Sequence, residues 1–204
     1  MRIRITFSKT EAMRYTGHLD LHRAWERTFR RAALPIAYSQ GFHPQPRFSL
    51  AAALPLGFTS ECEVADAWLA EELPLEEILA GLKRAAPPGI DVHAVQPVDE
   101  RAPALQTQVN ASEYRVTVLD PVQDLPGRVS SLLAADRLLR ERRGKSYDLR
   151  PLVEDIQVAG GNTLLLRLAA REGATGRPEE VLAVLSIPAE AARIHRKRLL
   201  FAPG

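Results

Sequence analysis

Five arginines recur within RYTGHLDLHRAWERTFRRA, the segment 14–32, and four of them fall in its second half. Arg23, Arg27 and Arg30 are four and three residues apart, so on a helix they form successive rungs, with Arg31 alongside, opposite Trp25 and Phe29. Guanidinium groups in a row suit the phosphates of a nucleic acid, which they contact two bonds at a time. A merely solvated arginine-rich face produces the same pattern. Glu26 interrupts the stripe and stands at helical spacing from Arg30, which predicts that one cation is already neutralised. Arg14, His18 and Asp20 precede or open this helix. Backbone N–H groups and the helix dipole favour an anion there, although two capping residues read alike.

A second constellation is YSQGFHPQPRFS, residues 38–49. Gly41 permits a positive φ, and Pro44 and Pro46 stiffen the chain after it. A preorganised loop loses little entropy on binding, so Tyr38, Phe42 and His43 are candidate stacking groups. Arg47 is a candidate phosphate or carboxylate contact, and Gln40 belongs to the same set. The alternative is that Tyr38 and Phe42 pack beneath the loop as core. KSYDLRP, residues 145–151, comes after the first helix of the second half and again combines tyrosine, arginine and proline, which adds Tyr147 and Arg150 to the candidate binding residues.

Catalysis is less well supported. His18-x-Asp20 lacks a defined third metal ligand, although His22 and His43 stand nearby in sequence. His18 or His43 as general base beside arginines would suit a metal-independent ribonuclease or phosphoryl-transfer enzyme. No P-loop, dinucleotide fingerprint, nucleophile elbow or paired-histidine zinc motif is present, so no catalytic residue, metal or cofactor is assigned.

The elements that position these residues can be read from periodicity. Arg2–Phe7 alternates as a strand with Ile3, Ile5 and Phe7 inward, and a helix capped by Asp20 is expected through Ala33. FSLAAALPL, residues 48–56, and Glu61–Leu69 read as strands, Leu73–Ala86 as an amphipathic helix, and Ile90–Val95 as the closing strand. The order repeats: strand Glu113–Leu119, a long helix Asp124–Arg143, a loop Lys145–Arg150, a hairpin of Val153–Val158 and Thr163–Ala169, a helix Pro178–Leu185 and a strand Ala192–Phe201. Two consecutive βαββαβ units predict an α+β chain of two tandem ferredoxin-like domains with antiparallel sheets, 1–98 and 110–204, joined by a linker 99–109.

The bulk composition fits a globular chain of 204 residues with 46% hydrophobic and 25% charged residues and a net charge of +2. No apolar run reaches the length of a bilayer span, so no membrane partner is expected. MRIRITFSK lacks the apolar centre of an export signal, and a cytoplasmic location is expected. One cysteine, Cys62, supplies neither a disulfide nor the cysteine cluster of an iron–sulfur centre.

GHLDLHRAWERTFRRAALPIAYSQGFHPQPRFSLAAALPLGFTSE, together with YDLRP and GRPEEVL, closely resembles the radical-SAM-linked bacterial proteins, which occur as separate chains or as C-terminal extensions of radical SAM enzymes. The resemblance covers nearly the whole chain. It implies a radical SAM enzyme as the partner that supplies the cluster chemistry. It also carries over Ser39, Gly41, Pro44 and Pro178 alongside the candidates above. Gly17 departs from the pattern, standing where a serine often precedes the His-Leu-Asp run. The tandem layout is similar in architecture alone to that of CRISPR repeat-processing endoribonucleases. The expected function is an RNA-binding or substrate-presenting accessory protein for RNA or ribosome-related modification. The alternatives are the nuclease above and an adaptor that contacts only protein.

Overall fold

A computed structural model describes residues 1–142 and 144–202. The chain is α+β, with antiparallel strand pairing and five α helices among the described residues. It divides into two compact units, Met1–Gln108 and the residues from Val109 onward.

The first unit contains β1 (Arg2–Lys9), α1 (His18–Arg31), β2 (Phe48–Leu50), β3 (Thr59–Trp68), α2 (Leu75–Ala85), β4 (Ile90–Val98) and α3 (Leu105–Gln108). Its strands lie in the order β2-β3-β1-β4, each pair antiparallel. Strand alternation sends Ile3, Ile5, Phe7, Ala65 and Ala67 to one face, where they meet Leu21, Trp25 and Phe29 of α1 and Ile78 and Leu82 of α2 in one core. The rings of Phe7 and Trp25 pack edge to face at 4.8 Å. Truncating such a buried aromatic costs about 3–5 kcal/mol.

The alternate residues, Arg2, Arg4, Asp66 and Trp68, belong to the opposite face. Asp66 is fully buried and held by Arg2 at 2.6 Å and Arg4 at 2.8 Å. Arg2 also donates to the carbonyls of Ala102 and Pro103, at 2.6 and 2.9 Å. Gln106 bonds Ser49. These contacts draw the segment expected as a linker into the first unit.

Two expectations here are corrected. The helix starts at His18 with Gly17 as its N-cap, because the Gly17 carbonyl already accepts the Leu21 N–H at 2.9 Å; Asp20 lies inside the first turn. Within FSLAAALPL the strand ends at Leu50, with one further backbone bond from the Ala51 N–H to the Val64 carbonyl at 2.8 Å. The run Ala51–Ala53 has no alternating pattern to prolong a half-buried strand.

The second unit contains β5 (Val109–Val118), α4 (Leu125–Ala134), β6 (Leu139–Arg142), β7 (Lys145–Asp148), β8 (Val153–Val158), β9 (Thr163–Arg171), β10 (Ala174–Thr175), α5 (Pro178–Val184) and β11 (Ala192–Phe201). The strands lie in the order β8-β9-β5-β11, with β10 also on β9 and β6–β7 as a separate ribbon. The β8–β9 connection uses Gly160 and Gly161 at φ of 92° and 53°, conformations that suit glycine. The long helix expected from Asp124 to Arg143 is also corrected: α4 ends at Ala134, and Ala135 is extended. Asp148 accepts the Leu138 N–H at 2.8 Å, and the Leu149 N–H bonds the Leu138 carbonyl at 2.8 Å. Those long-range bonds override the helix preference of Leu-Arg-Glu-Arg and convert the expected loop 145–150 into β7 and a turn.

Candidate nucleic-acid interface

Helix α1 turns Leu21, Trp25, Thr28 and Phe29 inward. Helical geometry therefore sends Arg23, Arg27, Arg30 and Arg31 outward, and all four are exposed. Arg30 reaches Glu26 at 3.1 Å as its spacing predicts, and Arg23 reaches Asp20 at 3.4 Å. Both pairs are solvent-exposed, where an ion pair contributes about 0–1 kcal/mol and yields readily to a competing phosphate. Arg27 and Arg31 have no ion pair among the described residues. No carboxylate occurs in the chain between Glu26 and Glu61, so this helix end and the loop after it form an unbroken acid-free run.

His18 occupies the first helical position. Its ring reaches solvent, but partial burial and then the neighbouring His22 hold its pKa below the ordinary imidazole value, against a pull from Glu63. Burial thus favours its neutral form. His22 is committed elsewhere: its Nε2 lies 3.1 Å from the Phe48 carbonyl and its ring packs on Phe48 at 5.0 Å.

The loop is a small braced hairpin. Tyr38 and Pro46 form an antiparallel bridge, the Ser39 N–H donates to the Gln45 carbonyl at 2.8 Å, and the Gln45 N–H donates to Ser39 Oγ at 3.0 Å. Gly41 at φ 133° makes the turn. Tyr38, Gln40, Phe42 and His43 are exposed, so neither aromatic packs beneath the loop. Arg47 is anchored differently. Its guanidinium lies 4.8 Å from the centre of the Trp68 ring, to which Arg2 also comes within 5.0 Å. Phe48 pairs with the core residue Ala67 and Ser49 with Asp66, so Arg47 belongs to the sheet face turned away from α1. Among the described residues, His43 makes no hydrogen bond or ion pair with His18, Arg27 or Arg47.

Arg14 is buried, and its Nε donates to the Gly57 carbonyl at 3.0 Å. It fastens the turn before α1 rather than presenting a charge. Arg150 is similar, with its guanidinium on the carbonyls of Val153 and Leu133 at 3.1 and 3.2 Å. Tyr147 faces a partner that the sequence did not suggest, Glu180. Burial, the Glu180 charge and a hydrogen bond to it raise the Tyr147 pKa. Arg140, directly across the ribbon from Tyr147, pairs with the same carboxylate at 2.9 Å. The signal available was GRPEEVL, whose two glutamates at 179 and 180 lie far from Tyr147 in sequence.

A groove of about 430 Å³ in the second unit is lined by Asp124, Arg128, Ser131 and Ser186 among others, none of them a predicted site residue. Among the described residues, no group of three or more His, Cys, Asp or Glu side chains is placed to hold a metal ion, and no helix is long and apolar enough to cross a membrane.

Among solved structures, the chain is similar to one in a crystal structure of a Cbf5-Nop10-Gar1 complex, at 9% identity and a TM-score of 0.46 over 97% of this chain. It spans 48% of that chain, about half its length. It is also similar to an unknown protein from Galdieria sulphuraria at 13% identity and a TM-score of 0.28, covering 99% and 98% of the two chains. At these scores neither likeness assigns a fold or a function. No curated protein matches. Residues 2–178 match a family described as "Uncharacterized protein conserved in bacteria (DUF2344)", and the chain belongs to that bacterial family.

Proposed function

We propose that this protein is a cytoplasmic RNA-binding, substrate-presenting accessory protein that works with a radical SAM enzyme in RNA or ribosome-related modification. Its two units are read as ferredoxin-like domains, supported by matching strand orders in which each closing strand lies beside the first strand of its unit. The observation that carries the RNA reading is the outward arginine face of α1, continuous in sequence with an acid-free, braced loop. A polyanion is the ligand such a surface favours, since phosphates replace released counterions at each guanidinium. The radical SAM partner is supported by the sequence resemblance, and the lone Cys62 leaves a cluster to be supplied by another chain.

A nuclease using His43 has less support, because no second group orients its imidazole among the described residues. The deciding experiment is binding of purified protein to labelled cellular RNA in the presence of a metal chelator, measured over a range of salt concentrations. Salt-sensitive binding without cleavage is the expected result. Cleavage that disappears in His43→Ala favours the nuclease, and undetectable binding with a nuclease-resistant complex with the enzyme favours a protein adaptor.

A further inference from the structure

The apex of the 38–46 hairpin carries an aromatic ring without protein around it. Phe42 is 102% exposed, whereas Phe7, Phe29, Phe48 and Phe58 are buried. The ring is not on a slack segment: the Tyr38–Pro46 bridge and the two Ser39–Gln45 hydrogen bonds close the loop beneath it. A braced ring with open faces can stack on a planar ligand with little further ordering. The stretch of sequence that carries it indicates the charge of that ligand. Between Glu26 and Glu61 the chain carries Arg27, Arg30, Arg31, His43 and Arg47 and no carboxylate, which favours a polyanion over a protein partner.

In a double helix the base faces are already stacked on one another, so an isolated ring meets them only where a base is unpaired. We propose that the nucleic acid bound here is single-stranded, or a single-stranded loop of a folded RNA, and that Phe42 stacks on one unpaired base while the α1 arginines hold phosphates. This rests on the RNA-binding reading above. Stacking uses the π face that every base has, so the contact is tolerant of sequence.

Fluorescence anisotropy with three probes tests it: a single-stranded oligoadenylate of about 12 nucleotides, its duplex with oligouridylate, and a strand of the same length with abasic spacers. Phe42→Ala should weaken binding to the first about tenfold and leave the other two unchanged, while Phe42→Trp should bind the first at least as well as the native protein. Phe42 is fully exposed, so both variants should keep the native circular dichroism spectrum. If native protein binds single strand and duplex equally and Phe42→Ala changes neither, the stacking proposal is overturned while RNA binding stands. If none of the probes binds, the RNA reading falls and this proposal with it. Loss of a co-purifying protein in Phe42→Ala, with single-strand affinity unchanged, makes the ring a protein anchor and also overturns the proposal.

Discussion

The guanidinium of Arg47 lies 4.8 Å from the centre of the Trp68 ring, on the sheet face opposite the arginines of α1. Backbone bonds surround the contact: the Arg47 N–H donates to Ala37 and the Trp68 N–H to Arg47, at 2.7 and 3.0 Å. The stacked cation therefore secures the base of the loop that presents Phe42. Arg47→Ala should lower stability by about 0.5–1 kcal/mol in urea denaturation, the ordinary worth of an accessible cation–π contact. It should reduce RNA affinity less than Arg27→Ala does.

Asp66 predicts a larger effect. The carboxylate is fully buried between Arg2 and Arg4, so Asp66→Asn strands cationic charge in a dry site and should cost about 3–5 kcal/mol by denaturation. Arg4→Ala should cost less, because the Arg4 side chain keeps 17% exposure against 2% for Arg2.

How much of this was legible differs by element. The strands β1 and β9, the helix α2 and the hairpin at Gly160 can be read directly from apolar period and turn residues. The ribbon β6–β7 was hidden because Leu-Arg-Glu-Arg favours helix locally, and it is the bonds of Asp148 and Leu149 back to Leu138 that hold it extended. The arginine face of α1 was readable from spacing alone. The side of the sheet taken by Arg47 was not, since it depends on the register that pairs Phe48 with Ala67. Arg14 and Arg150 looked like surface cations because a sequence does not reveal which carbonyls a guanidinium will reach.

His18 gives a pH prediction. Its folded pKa is depressed, chiefly by partial burial, so the unfolded chain takes up the proton first as pH falls. The stability linked to neutral His18 is present above its unfolded pKa and is lost as pH falls through the folded value. His18→Gln should flatten the acid-side decline of the denaturation midpoint measured between about pH 7.5 and pH 5, a range that brackets the ordinary imidazole pKa.

Tyr147 behaves in the opposite sense at the alkaline end. Burial and Glu180 raise its folded pKa, so stability linked to the protonated phenol is present below the unfolded value and lost as pH rises through the folded one. In an ultraviolet tyrosinate titration, a late-ionising step should be seen in the native protein and vanish in Tyr147→Phe. Glu180→Gln should shift that step to lower pH.

The central claim, that the outer face of α1 holds RNA phosphates, is tested most directly by the salt dependence of RNA affinity in an Arg27→Ala/Arg31→Ala double variant. These two cations have no ion pair among the described residues and should each contribute one phosphate contact. The slope of log K against log salt should fall by about 1.4 for a single strand, with affinity dropping in parallel. An unchanged slope and affinity would contradict the account.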